Sequence, residues 1–484
     1  MAFLERGANS GSVSTGSYEI ENSVKIEADN TERLYRPWGG ITADTKTWTV
    51  SVWVKRTELG SLQYVWGAGT GGLDFLHVGF LDDDTLRFRQ YVGADHCVYV
   101  TNRVFRDTSA WYHIVTAVDT TNGTAGDRLR IYINGVEETS FATETNYSAD
   151  RVTPQNANGG YMEVGTMIGS ARFNGYIAEV NSITGTQYAA SDFGEFDTDS
   201  GIWKPIAFAG SYAENSVFLE FKDSSSLGTD TSGNSQTFTL QNITAADQAT
   251  DTPTNNFAML SSAMHDVNEL SYSTISEGGT KFRTTVTEKW VTAVSSIGVT
   301  KGKWYAEFVV SGARPNNFWG IASMEQLNNN SGYSSAGSHL GESGKNWSIG
   351  YYQANGKLDK QQNSGYTTTS SWGGTVSQNA VVSVALDMDN HNLYMAVNNT
   401  YQASGNPVTG ANAITFDATE TVAIANTGYS LGGGNDTITA ANFGGYKSGG
   451  MYSQATDGNG YGGFRYAPPT GYYALCTKNL AEFG

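Results

Sequence analysis

Cysteine is almost absent from this chain: Cys97 and Cys476 are the only 2 among 484 residues. Thiols that far apart read as separate buried groups and not as a disulfide, because the N-terminal Met-Ala-Phe-Leu-Glu-Arg-Gly-Ala-Asn-Ser has no apolar stretch of signal-peptide length. The six histidines, at 77, 96, 113, 265, 339 and 391, form no His-x-His pair, and no Cys-x-x-Cys exists, so a transition-metal centre has no ligand set. Proline is scarce at 8 residues, and strong helix formers are few. No segment repeats apolar residues at helical spacing, and none is apolar for long enough to span a bilayer, so membrane insertion is not expected. Cationic residues are short as well, 29 against 47 acidic ones, for a net charge of −18. A surface of that sign repels phosphate backbones and excludes nucleic acid as a partner. Catalytic fingerprints are missing too. Gly432-Gly433-Gly434 lacks both a following Lys-Ser/Thr and a helix, and no Ser/His/Asp constellation is readable. The expectation is a soluble protein made in a cytoplasm, and not an enzyme.

What fills the chain instead is glycine (57 residues), aromatic side chains (12 %), and short runs that alternate apolar and polar residues between Gly, Asn and Asp. That texture predicts antiparallel β structure with many turns. One phrase occurs twice. Trp111, then His113-Ile114-Val115-Thr116-Ala117-Val118-Asp119, returns as Leu129-Arg130-Ile131-Tyr132-Ile133 and ends on Asn134-Gly135. Val381-Val382-Ser383-Val384-Ala385-Leu386-Asp387 returns as Leu393-Tyr394-Met395-Ala396-Val397 and ends on Asn398-Asn399. Strands rich in β-branched residues and closed by such a pair predict hairpins with a tight turn. Asn tolerates positive φ, so the second turn is expected to survive without its glycine.

At this length two or three domains are expected. Residues 1–205 read as a first β-sandwich, with strand-like runs including Glu19–Glu27, Trp48–Lys55, Phe75–Phe80, Leu86–Tyr91 and Gly175–Ile183. Residues 206–256 read as bridging strands, or as strands that complete the first sandwich, followed by a polar linker, and 257–484 as a second sandwich. Within the second, Gly444–Gly463 reads as a long loop with little internal packing, and such loops often bind.

Leu129-Arg130-Ile131-Tyr132-Ile133-Asn134-Gly135-Val136, after Trp111-Tyr112-His113-Ile114-Val115, resembles the core of laminin-G-like, concanavalin-type jelly rolls. Gly302-Lys303-Trp304-Tyr305-Ala306-Glu307-Phe308, with Gly320-Ile321-Ala322 and Val384-Ala385-Leu386-Asp387-Met388-Asp389, is similar to SPRY domains. The whole arrangement also resembles a set of tailed-phage virion proteins. Their shared phrases stand here as Lys46–Arg56 (Lys-Thr-Trp-Thr-Val-Ser-Val-Trp-Val-Lys-Arg), Ser191-Asp192-Phe193-Gly194-Glu195, Asp251-Thr252-Pro253-Thr254-Asn255-Asn256-Phe257-Ala258 and Leu475-Cys476-Thr477-Lys478-Asn479-Leu480. The resemblance implies an all-β fold of two concanavalin-like antiparallel sandwiches in tandem. It also implies a virion protein made in the host cytoplasm: a tail or head fibre or spike, homotrimeric, contacting other virion proteins and host surface polysaccharide. The alternatives are a capsid decoration or tail-surface protein without receptor binding, and a jelly-roll polysaccharide depolymerase.

Three residue sets carry candidate chemistry. Glu195-Phe196-Asp197-Thr198-Asp199 puts carboxylates at i, i+2 and i+4, the spacing that jelly-roll glycanases use on a strand. Here Asp199 is one methylene short, and the flanking Gly194 and Ser200-Gly201 favour a solvated acidic turn. Asp82, Asp83 and Asp84 at a hairpin tip form a candidate calcium site, since laminin-G-like rims often hold that hard cation through oxygens. Tyr333, Tyr352, Tyr366, Trp372, Tyr452 and Tyr461, set among Gly, Ser, Asn and Gln, are candidate glycan contacts, because aromatic plates stack on the C–H faces of sugars. Trp304, Trp347 and Tyr351 fit strand periodicity and are assigned to the core.

Overall fold

Alternating side chains build both sandwiches. In Thr47–Arg56, Trp48, Val50, Val52 and Val54 face one way and Thr49, Ser51 and Trp53 the other, and all are buried, so this strand is covered on both sides. The computed structural model describes residues 18–38, 44–71, 74–261, 273–285, 289–312, 316–325, 338–417, 421–430, 437–446 and 455–484. The protein is all-β, two concanavalin-like antiparallel sandwiches in tandem, and it divides into the units Ser14–Thr254 and Asn255–Gly484. Among the described residues no helix is long and apolar enough to cross a membrane.

In the first unit one sheet runs Val136–Glu137, Leu129–Ile133, Tyr112–Asp119, Thr47–Arg56, Gly175–Thr184, Ser23–Ile26 and Gln248–Ala249. The other runs Phe141–Thr145, Asp95–Val104, Thr85–Val92, Asp74–Phe80, Gln63–Gly71, Tyr161–Val164, Arg33–Pro37 and Thr239–Gln241. Between them lies a core that includes Trp48, Trp66 and Phe88, with the two indoles edge to face at 5.8 Å. Cys97 is buried in this core as a free thiol, and burial raises its pKa well above the usual value.

Of the two placements open to the strands of 206–256, the structure has the one that completes the first sandwich. Val217–Leu219 pairs with Gly175–Thr184, Thr239–Gln241 with Arg33–Pro37, and Gln248–Ala249 with Ser23–Ile26, so all three strands belong to the first sandwich. The polar run after them is buried for an electrostatic reason. Lys55 is fully buried, and its ammonium meets the Asp251 carboxylate at 2.7 Å. The other Asp251 oxygen accepts the Trp111 indole N–H at 3.0 Å. A cation in that position requires its counter-ion. Polarity here marks a structural ion pair and not solvent exposure.

In the second unit one sheet runs Leu260–Ser261, Lys289–Ser295, Val422–Ser430, Asn317–Ser323, Ser348–Tyr352, Leu358–Gln362 and Gly365–Thr369. The facing sheet is built on Lys303–Val310, Val381–Asp387 and Asn392–Val397, with Tyr473–Ala474 joining Lys303–Val310 in parallel. Trp304, Trp347 and Tyr351 lie in the core as the periodicity predicts. The described part of the Gly444–Gly463 loop is pinned, contrary to expectation. Asp457 accepts from the Asn459, Tyr461 and Ala474 amides and from Asn479, while buried Glu307 accepts the Arg465 and Tyr466 amides.

Both hairpins close alike. Asn134 and Gly135 have φ of 49° and 81°, and Asn398 and Asn399 have 47° and 65°, so the Asn-Asn turn keeps the geometry of the Asn-Gly one. In each, the first Asn takes over the end of the preceding strand. Its side-chain oxygen accepts the amide of His113 or Val381, and its own amide donates back to that residue's carbonyl. Gly135 is glycine for a second reason: a Cβ there would stand 2.2 Å from the Trp203 ring.

Candidate functional site

Strand alternation gives the second sheet of the first unit a core face and a face turned away from the core. Leu76, Val78 and Phe88 go inward, so Phe75, His77, Arg87, Arg89 and Tyr91 go outward. Antiparallel register aligns these into rows across the sheet. Tyr161, Gly69, Phe75 and Tyr91 form one row, and Tyr35, Glu163, Gly67, His77, Arg89 and Val98 the next. Phe75 stacks on Tyr91 at 5.4 Å, and His77 stacks between Phe75 (5.6 Å) and Tyr64 (4.2 Å). Tyr35 and Tyr161 meet at 5.6 Å. The rings of Phe75, Tyr91, Tyr35, Tyr161 and Tyr64 are half-buried, with part of each left open to solvent.

Two glycines open a furrow through this face. Gly69 separates Tyr161 from Phe75, and Gly67 separates Glu163 from His77. The Met167 side chain occupies the furrow: a Cβ on Gly67 would stand 2.4 Å from its sulfur, and one on Gly69 2.9 Å from its terminal methyl. The segment carrying Met167 folds back over the sheet through a Tyr64–Arg172 bridge. Ile168, exposed and β-branched, holds a left-handed φ of 53° there, so surrounding contacts must fix that conformation.

Charge on the face is carried by arginines. Arg33 donates to Glu163 and lies over the Tyr35 ring, and Arg89 pairs with Asp95 at 2.6 Å while covering Tyr91 at 5.0 Å. Arg87 donates to the Tyr64 phenol at 3.3 Å. His77 is almost fully buried and kept neutral, first by burial and then by Arg87 and Arg89. Neither of its ring nitrogens has a partner among the described residues. Such a surface offers ring faces for stacking and N–H donors for hydroxyl or anionic groups, beside a furrow that Met167 fills.

The second unit has an aromatic cluster of its own on the face of its first sheet turned from the core. Phe318 stacks on Tyr352 at 4.5 Å and on His339 at 4.2 Å, and Trp290 meets Phe318, His339, Tyr352 and Tyr429. The Lys357 ammonium lies over Phe318 and Tyr352 at 5.4 and 5.5 Å.

The candidates named from sequence are distributed as follows. Tyr352 belongs to the cluster just described. Tyr366 is exposed on the edge strand Gly365–Thr369, Trp372 packs edge-on against Tyr351 at 5.4 Å, and Tyr461 lies beside Lys478 at 5.4 Å. No ring contact joins these four to one another. Tyr333 and Tyr452 lie outside the described residues. Asp82, Asp83 and Asp84 do not converge on a common point. Asp84 turns inward to Arg56 and Arg106, Asp83 accepts from Thr85, and Asp82 stays exposed. Among the described residues no group of three or more His, Cys, Asp or Glu is arranged to hold a metal. Glu195 and Asp197 both hold Lys204, and Asp197 also accepts the Asp199 and Ser200 amides, which keeps its carboxyl near pKa 2. The outward rows of the first unit were missed. Their signal is present in Phe75-x-His77 and Arg87-x-Arg89-x-Tyr91, which alternate with the core residues Leu76, Val78, Leu86 and Phe88 in the same strands.

Residues 28–185 match the family model described as concanavalin A-like lectin/glucanases superfamily (Laminin_G_3). No curated protein matches the chain. Among solved structures, the SPRY domain of human HERC1 is similar at 13 % identity and TM-score 0.26, over 35 % of this chain and 91 % of that one. Domain 4 of AbnA, a GH43 extracellular arabinanase from Geobacillus stearothermophilus in complex with arabinotriose, is similar at 16 % and 0.27, over 38 % and 79 %. The native heptameric SAP-like pentraxin from Limulus polyphemus is similar at 15 % and 0.26, over 34 % and 77 %.

Proposed function

We propose that this protein binds glycans without cleaving them, through the ring-and-arginine face of its first sandwich, as a component of a tailed-phage virion appendage. The observation that carries the binding reading is the row Tyr161, Gly69, Phe75 and Tyr91. Partly open rings of Tyr161, Phe75 and Tyr91 stand in register there, beside a furrow that Met167 fills, on a sheet of a concanavalin-like fold. Sugar rings place C–H groups on their faces and hydroxyls at their rims, and this surface has aromatic planes beside N–H donors for both. The sequence reading sought contacts in the loops of the second unit, whereas the sheet face is more rigid and more complete. The virion assignment rests on the shared phrases, as do the trimer and the neighbouring virion proteins. The clamped acidic turn at Glu195–Asp199 supports binding over hydrolysis.

A glycan array with the full chain tests the reading, followed by titration of any hit with Phe75→Ala/Tyr91→Ala. Loss of two stacking rings lowers affinity by about tenfold or more, with thermal stability nearly kept, since both rings are half-exposed. No binding to any host-surface polysaccharide, or unchanged binding by the double variant, sinks it. Electron microscopy of labelled particles tests the virion placement.

A further inference from the structure

The ligand's charge is legible on the same face. We infer that the first sandwich takes an anionic saccharide, one carrying carboxylate or sulfate groups, with Arg87 and Arg172 as the residues that meet its charge. This deepens the glycan reading above and rests on it.

The whole chain is acidic, 29 Lys and Arg against 47 Asp and Glu, so a cationic patch runs against its composition. Yet this face gathers Arg33, Arg87, Arg89 and Arg172. Two of the four have internal counter-ions: Arg33 has Glu163 and Arg89 has Asp95. Among the described residues no carboxylate pairs with Arg87 or Arg172. Arg87 donates there to the neutral Tyr64 phenol, with Asp95 acting on it only through its field. Both leave their Nε–H buried and without an acceptor.

Arg33 and Arg172 lie close together, and Arg87 is joined to Arg172 through Tyr64. A Cβ on Gly169 would have Arg33 Nη1 at 3.5 Å and Arg172 Nη2 at 3.7 Å, and the Arg172 backbone is bridged to Tyr64, which receives Arg87. Partly burying a guanidinium with no carboxylate against it is unfavourable, because its N–H groups give up their water. Burial already lowers the pKa of Arg87, although it remains a cation. An oxyanion placed against either arginine offsets that cost and supplies acceptors for planar N–H donors.

His77 adds an independent indication. Its two ring nitrogens are buried on this face without partners, and a neutral imidazole can both donate to and accept from a hydroxyl at the anion's sugar ring. The rings of Phe75 and Tyr91, one row away, then hold the uncharged part of the same ligand.

The experiment is calorimetric titration of the full chain with four probes: tetragalacturonate, its methyl ester, a heparin-derived hexasaccharide, and the desulfated form of that hexasaccharide. At least one charged probe is expected to bind tenfold or more tightly than its neutral counterpart. That preference shrinks between 50 and 500 mM salt, roughly as screening of partly exposed charges requires. In Arg87→Met and in Arg172→Met the ratio of charged to neutral affinity falls about tenfold, whereas Arg87→Lys keeps part of it. The ratio discriminates because a merely structural loss lowers both affinities together. The wild-type salt dependence gives an answer even if a variant fails to fold. Equal binding of charged and neutral probes, independent of salt, overturns the anionic assignment and leaves the glycan reading standing. Binding to none of the four, with an empty glycan array, overturns both.

Discussion

Glu179 offers a sharp test of how far burial governs this fold. It sits in Gly175–Thr184 at a break in register with Thr47–Arg56, holds a φ of 45°, and is 4 % exposed. One carboxyl oxygen accepts the Tyr18 phenol at 2.9 Å, and Tyr212, Glu220 and Lys222 complete its surroundings. Burial first, and the nearby Glu220 second, push its pKa up from 4.5 to about 8. At neutral pH the folded chain therefore keeps a proton that the unfolded chain has released. Between those two values the folded state binds more protons, so stability falls as pH rises. The slope is about 1.4 kcal/mol per pH unit, which gives on the order of 3 kcal/mol between pH 5 and pH 8. Glu179→Gln keeps an acceptor for Tyr18 and cannot ionise. Its melting temperature, read by circular dichroism at pH 5, 6, 7 and 8, is expected to draw ahead of wild type with each step. At roughly 2–4 °C per kcal/mol for a unit of this size, the gain is about 6–12 °C across the range. His77 and His113, both held neutral by burial, titrate identically in the two proteins and drop out of the difference. Parallel melting curves at all four pH values refute the reasoning, and so does a gap that widens toward acid.

Further predictions concern the scaffold. Lys55→Met strands the Asp251 carboxylate and costs about 3–5 kcal/mol in denaturant unfolding, and Lys55→Met/Asp251→Leu recovers most of that because no charge is left alone. Asn398→Ala removes the acceptor for the Val381 amide and puts an ordinary residue at φ 47°, a loss of about 1–2 kcal/mol, while Asn399→Gly stays within about 0.5 kcal/mol of wild type or improves on it. Gly135→Ala drives a methyl group into Trp203 and is expected to lower thermal stability by about 2 kcal/mol or more. Ile168→Gly relieves a strained exposed residue and raises stability by about 1 kcal/mol.

The fold was legible because its causes are local. Apolar residues alternate in Thr47–Arg56 and Val381–Asp387, and Asn-Gly or Asn-Asn closes each hairpin, so a single strand carries the instruction for its own placement. The extent of the first sandwich was legible only as one of two placements for the later strands, and its polar end was not, since Asp251 owes its burial to Lys55, nearly two hundred residues earlier, and composition alone marks such a residue as exposed. The proposed binding face was half legible. Its strands were found, but the outward residues of a sheet become a site only through register, which sets Phe75 opposite Tyr91 and Gly69 between Tyr161 and Phe75.

The same distinction explains what the family-like phrases mean. Lys55 of one phrase is held by Asp251 of another, and Phe193 and Gly194 of a third pack around Trp203. In the second unit the Asn256 amide donates to Thr477, Thr477 donates back to the Asn256 carbonyl, and Ala258 donates to Leu475. These segments therefore fasten each sandwich to itself, and none of them contributes to the ring-and-arginine face. A sequence can keep all of them while the outward rows change freely, because the fastening residues point into the fold and the rows point away from it. The phrases belong to the scaffold, so the specificity of the proposed ligand site is tested at Phe75, Arg87, Tyr91 and Arg172 and not at the phrases.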